Sequence, residues 1–90
     1  MSDHILFAGP WARGKGERSS RMVLHAATQN GEVREYIVHM QYKDEKGQLH
    51  YDNGDYLRDF DRALDKFTER SKRHYQGRKF NLKKNSLMHS

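Results

Sequence analysis

Ninety residues allow one small domain, because a second would lack the chain to bury a core of its own. The absence of cysteine excludes a disulfide scaffold, thiolate metal ligation and a cysteine nucleophile. With a net charge of +5 and only 16 Leu, Ile, Val and Phe, offset by ten aromatic rings, the composition predicts a compact middle with softer ends.

The first apolar run, Ile5-Leu6-Phe7-Ala8, is too short for a secretory signal or a bilayer span, so no membrane partner is expected and the chain is expected to be cytoplasmic. His4 to Ala8 reads as a short strand that Gly9-Pro10 ends. Residues 1–19 are otherwise expected to form a flexible arm. Within it, Gly9 to Gly16 match the spacing G-x-x-x-x-G-K. Gly16 stands where the Mg²⁺-binding hydroxyl belongs and Pro10 removes a donor, so a loop is expected rather than a phosphate cradle.

Residues 20–77 carry the core signals. Asn30-Gly31, between apolar runs, predicts a two-residue hairpin turn in which both residues have positive φ. That loop sets Ala27 opposite Arg34, His25 opposite Tyr36, Val23 opposite Val38 and Arg21 opposite Met40. A second turn at Asp44–Gly47 leads to a third strand from Gln48, with Tyr42 meeting Leu49 and Met40 meeting Tyr51. One face then collects Val23, Ala27, Tyr36, Val38, Met40, Tyr42, Leu49 and Tyr51. Asp55 is the expected N-cap of a helix from Tyr56 to Gln76, with Gly77 just past its end. Leu57, Phe60, Leu64 and Phe67 form its apolar stripe. The expected fold is therefore α+β: an antiparallel meander of three strands, or four if Phe80 and Leu82 add an edge, with one amphipathic helix packed on one face. Residues 78–90 form a basic C-terminal tail.

The sequence offers little catalytic chemistry. On the face opposite the helix the register sets His39 beside Asp52 and His50 beside Gln41, but no metal-ligand spacing accompanies them and a solvated face is expected. His25, opposite Tyr36, reads as a hydrogen-bonded structural histidine. The helix carboxylates alternate with Arg58, Arg62, Lys66 and Arg73, as on a solvated helix. A non-enzymatic protein without cofactor or metal is expected.

Charge segregates along the chain. Residues 43–69 sum to −3, whereas residues 70–90 carry seven cations and no acid. Arg70, Lys72, Arg73, Arg78, Lys79, Lys83 and Lys84 are thus candidates for contacting nucleic acid, DNA or RNA, or a nucleoprotein complex, with weak sequence preference. An alternative lies on the sheet. Met22, Leu24 and Ile37 are expected on the face away from the helix, where a second copy, another protein or residues 4–11 of the same chain would cover them. That reading makes the chain a protein-binding module: a homodimer, an accessory subunit or an inhibitor of a larger complex.

Overall fold

A computed structural model describes residues 2–14, 16 and 18–80. Among these residues seven strands are present, β1 (Ser2–Ala8), β2 (Ala12–Arg13), β3 (Ser20–Gln29), β4 (Glu32–Lys43), β5 (Leu49–Tyr51), β6 (Asp55–Leu57) and β7 (Lys79–Phe80), with one helix, α1 (Phe60–Tyr75). The long strands β3 and β4 form the centre of a single antiparallel sheet. β1 and β2 both pair with β3, β5 and β6 both pair with β4, and β7 adds to β2. The α+β architecture, an antiparallel sheet with one helix across a face, is as the sequence predicts. Lys83, Lys84 and Leu82 lie outside the described residues.

The Asn30-Gly31 turn forms as expected, with φ of +55° and +81°. Next to it Gln29 pairs with Glu32 and Thr28 with Val33, but Ala27 then pairs with Glu35, so Arg34 is an extra residue in β4. This bulge shifts the register by one and turns β3 over relative to the expectation. Met22 now pairs with Met40 and Leu24 with Val38, beneath the helix, while Val23 and His25 point to the opposite face. The core is Met22, Leu24, Val38 and Ala63, flanked by Tyr36, Met40, Leu57, Leu64, Phe67 and Tyr75. Met22 and Leu24, expected on the open face, are 1 % and 0 % exposed, which corrects that expectation. Burial of a side chain such as Leu24 contributes about 1.5–3 kcal/mol.

The second turn slips by one as well. Asp44 N–H donates to Gln48 O and Gly47 adopts φ +83°, so the loop holds three residues, the last in the left-handed region. The Asp44 carboxylate accepts from the N–H groups of Lys46 and Gln48 and fastens this geometry. Lys43 consequently pairs with Leu49 and Gln41 with Tyr51, moving Leu49 and Tyr51 away from the helix. The helix also begins later than expected. Asp55–Leu57 extends the sheet, and Asp59 caps α1 by accepting from Arg62 N–H at 3.0 Å.

Both outer strands are interrupted. The segment read as a flexible arm supplies β1 and β2, with a break at Gly9-Pro10-Trp11. Gly9 N–H still reaches Met22 O, and the Tyr75 hydroxyl fills the gap: it accepts from Met22 N–H at 3.1 Å and donates to Pro10 O at 2.8 Å. A Cβ at Gly9 would lie 2.1 Å from that hydroxyl oxygen, so only glycine fits there. These bonds also use the Gly9 N–H that a phosphate cradle would need. Opposite, the break at Asp52-Asn53-Gly54 separates β5 from β6. There the Asp52 carboxylate accepts from Met40 N–H at 2.7 Å, and Arg70 of the helix donates to Val38 O at 2.9 Å and to Asp52 at 3.1 Å.

Candidate nucleic-acid interface

β7 pairs with β2, setting Arg13 opposite Lys79 and Ala12 opposite Phe80. Ala12 in turn pairs with Ser20 of β3, and Ser19 O accepts from Lys43 N–H at 3.1 Å. Two basic segments more than sixty residues apart in sequence therefore meet at one end of the sheet. Arg13, Arg18, Arg21, Arg78 and Lys79 lie on these segments, whose residues 11–14, 18–21 and 74–80 contain no Asp or Glu, and Lys43 joins them from the end of β4, next to Asp44. Trp11 sits among them, with the Arg21 guanidinium carbon 4.7 Å and Lys43 Nζ 4.5 Å from its ring centroid. Such contacts hold the two cations against an aromatic surface while leaving their charge in place. The helix end is tied in as well: Ser20 Oγ lies 3.1 Å from His74 Nε2, and Arg78 donates to His74 O.

Among the described residues of the expected cationic row, Arg70, Lys72 and Arg73 have different surroundings from Arg78. Arg70 is committed to Asp52, Asp55 and Val38 O, with only 20 % of its side chain exposed, so it is a structural residue. Arg73 pairs with Glu69 at 3.2 Å on the outer helix face, and Lys72 is exposed beside it. Arg78 and Lys79 belong to the basic end described above. Ile37 remains on the face away from the helix, opposite Tyr56, and is half-buried.

That face carries a network the sequence reading did not assemble. Arg21, Gln41 and Tyr51 are direct partners across β3, β4 and β5. Arg21 Nε donates to Gln41 Oε1 at 2.7 Å, and Gln41 Nε2 donates to the Tyr51 hydroxyl at 2.8 Å. The Tyr51 ring stacks on His39 with 4.4 Å between centroids and 15° between planes, and His25 meets its edge at 5.3 Å. His25 Nδ1 and His39 Nε2 are 2.6 Å apart, so one proton lies between them and the tautomers decide which nitrogen donates. Burial pushes the His25 ring below its ordinary pKa. His39 is pushed down to about 4, by burial first and the adjacent His25 second. Both rings are consequently neutral at pH 7.

The placing of His50 beside Gln41, on the same face as His39, is corrected. His50 stands opposite Tyr42, on the other face, and contacts the Asp44 carboxylate at 2.8 Å. His25 is hydrogen-bonded as expected, but to His39 rather than beside Tyr36. No group of three metal-ligating side chains occurs among the described residues. Among these residues, no helix is long and apolar enough to cross a membrane. Comparison of the chain with protein-family models, with curated proteins and with solved structures gave no match.

Proposed function

We propose that the protein is a non-enzymatic binder of nucleic acid, or of a nucleoprotein surface, and that it engages phosphates with the basic end of its sheet. The observation that carries this reading is the pairing of β2 with β7, which sets Arg13 opposite Lys79 and brings the N-terminal and C-terminal basic segments together at the end of the sheet where Trp11 lies. Phosphate binding through counterion release needs clustered cations and little sequence information, and this surface offers both. The contacts expected of Arg70 pass to Arg13, Arg21 and Lys43, while Arg78 and Lys79 keep the role the sequence suggests.

Titration of labelled duplex and single strands at low and physiological salt tests the reading. Weak, salt-sensitive binding is expected, and replacing Arg13 and Lys79 together by Ala should flatten the log K against log [salt] slope by roughly 1.4–1.8, at about 0.7–0.9 per phosphate contact. Absence of binding at low salt would eliminate it.

A second reading is favoured by β1. Ile5, Leu6 and Phe7 on this edge strand are 45 %, 41 % and 47 % exposed, an unprotected apolar edge of the kind that pairs with another chain. A protein partner or second copy would then dock along β1 rather than on Met22 and Leu24. Sedimentation over a range of concentrations, repeated with Leu6→Lys, separates the two: a monomer indifferent to that change speaks against self-association.

A further inference from the structure

Resting on the nucleic-acid reading, we infer that the preferred ligand is a single strand, laid along the β5 side of the sheet face away from the helix with an unpaired base stacked on the exposed ring of Tyr51. Tyr51 is 44 % exposed and yet fixed in place. One face of its ring lies on His39, one edge meets His25, and its hydroxyl is held by Gln41. The surface left open is the outer face and rim of a ring that has little freedom to lose when a base stacks on it. Base stacking of this kind is indifferent to sequence and is available only to unpaired bases.

The polarity of the network suits a polyanion. Gln41 donates to the Tyr51 hydroxyl, so the phenolic proton is free to point toward a ligand acceptor. Arg21 donates to Gln41 through Nε and holds its guanidinium over the Trp11 ring, which Lys43 also approaches. Arg21 and Tyr51 belong to the same cross-strand row, two strand spacings or about 10 Å apart, so a base on Tyr51 brings its neighbouring phosphates toward Arg21 and Lys43. The histidines beneath are neutral at pH 7 and supply flat, polarisable support rather than charge. Asp3, opposite Ala27 near the other end of β3, makes that end unfavourable for phosphate and gives the path a direction, from Tyr51 toward Trp11 and the basic end.

Trp11 is the sole tryptophan, so its emission reports on this surface directly. The experiment titrates the full chain with a pyrimidine oligodeoxynucleotide and with the duplex formed from it, following Trp11 emission, for the wild type, Tyr51→Leu and Tyr51→Phe. The single strand is expected to bind more tightly than the duplex and to change Trp11 emission. Tyr51→Leu should weaken single-strand binding by about fivefold or more while leaving duplex binding unchanged, and Tyr51→Phe should retain most of the affinity. Photo-crosslinking of the wild type to a bromouracil-substituted strand gives a readout independent of any variant's folding, with attachment expected within residues 49–51. Equal affinity for single strand and duplex, or crosslinks confined to the helix, would overturn the inference and leave the nucleic-acid reading standing. Failure of both ligands to bind would remove that reading itself.

Discussion

At residues 9–11 the outer strand beside β3 is interrupted and Tyr75 bridges the gap with a neutral hydroxyl. At residues 52–54 the outer strand beside β4 is interrupted and Arg70 bridges the gap with a guanidinium, backed by the Asp52 carboxylate. Both repairs come from α1, five residues apart, and both supply hydrogen bonds that a continuous strand would have made with its neighbour. The neutral repair demands a close fit, since the hydroxyl occupies the space of a missing Cβ at Gly9. The charged repair tolerates looser geometry, with Asp55 joining at 3.4 Å, but it depends on keeping opposite charges together where water is partly excluded. The same architectural problem thus has a steric solution on one edge and an electrostatic one on the other.

Removing the guanidinium should cost most. Arg70→Ala leaves Val38 O without its donor and Asp52 without its counter-ion, and an increase of about 2–4 kcal/mol in unfolding tendency is expected, read from the denaturant midpoint. Gly9→Ala attacks the steric repair by forcing the Tyr75 hydroxyl out, for about 1–3 kcal/mol. In a Tyr75→Phe background the same change should cost measurably less, and a double-mutant cycle showing no coupling would refute the fit argued here. Tyr75→Phe alone removes the hydroxyl and leaves Met22 N–H unmet, for about 1–2 kcal/mol.

Acid distinguishes the two edges as well. His39 titrates near 4 when folded and near its ordinary 6.5 when unfolded, so between these values the unfolded chain holds the extra proton and stability falls as the pH is lowered. His25 is shifted in the same direction. The loss from pH 6.5 to 4 should reach about 1–2 kcal/mol, less than complete shielding of the rings would give, and thermal unfolding across that range measures it. Above pH 6.5 this pair contributes no pH dependence. The smallest effect is the most specific. Arg70 lowers and Asp52 raises the His39 pKa, so Arg70→Met should move the His39 titration upward in an NMR experiment, whereas Tyr75→Phe should leave it in place.

The parts of the fold legible in the sequence were those set by local chemistry. Asn30-Gly31 has one favoured turn, and the spacing of Phe60, Leu64 and Phe67 has one helical interpretation. What local chemistry does not announce is a shift of one residue: the extra residue Arg34 in β4, and a loop of three residues rather than four before Gln48, each move a strand by one position and exchange its faces. The candidate site was hidden by those shifts. His25, His39 and Tyr51 share a face only in the bulged register, and counting the loop as Glu45-Lys46-Gly47 would have brought Tyr51 beside Gln41. The ion pairs of Arg70 were not legible for a different reason. Cations follow it in sequence, whereas its partners Asp52 and Asp55 come from the strand break and the start of β6, 18 and 15 residues earlier.

The hydroxyl at Tyr75 also bears on the order in which a growing chain becomes finished. β1 leaves the ribosome before its partner β3 and well before α1, yet the break between β1 and β2 is closed by residue 75, and β2 gains its outer neighbour only with residues 79–80. Until those late residues emerge, Ile5, Leu6 and Phe7 lie on an edge whose middle hydrogen bonds are incomplete. A strand synthesised ahead of its partners is therefore among the last elements to be secured, and a holding chaperone or a second nascent chain would meet it first.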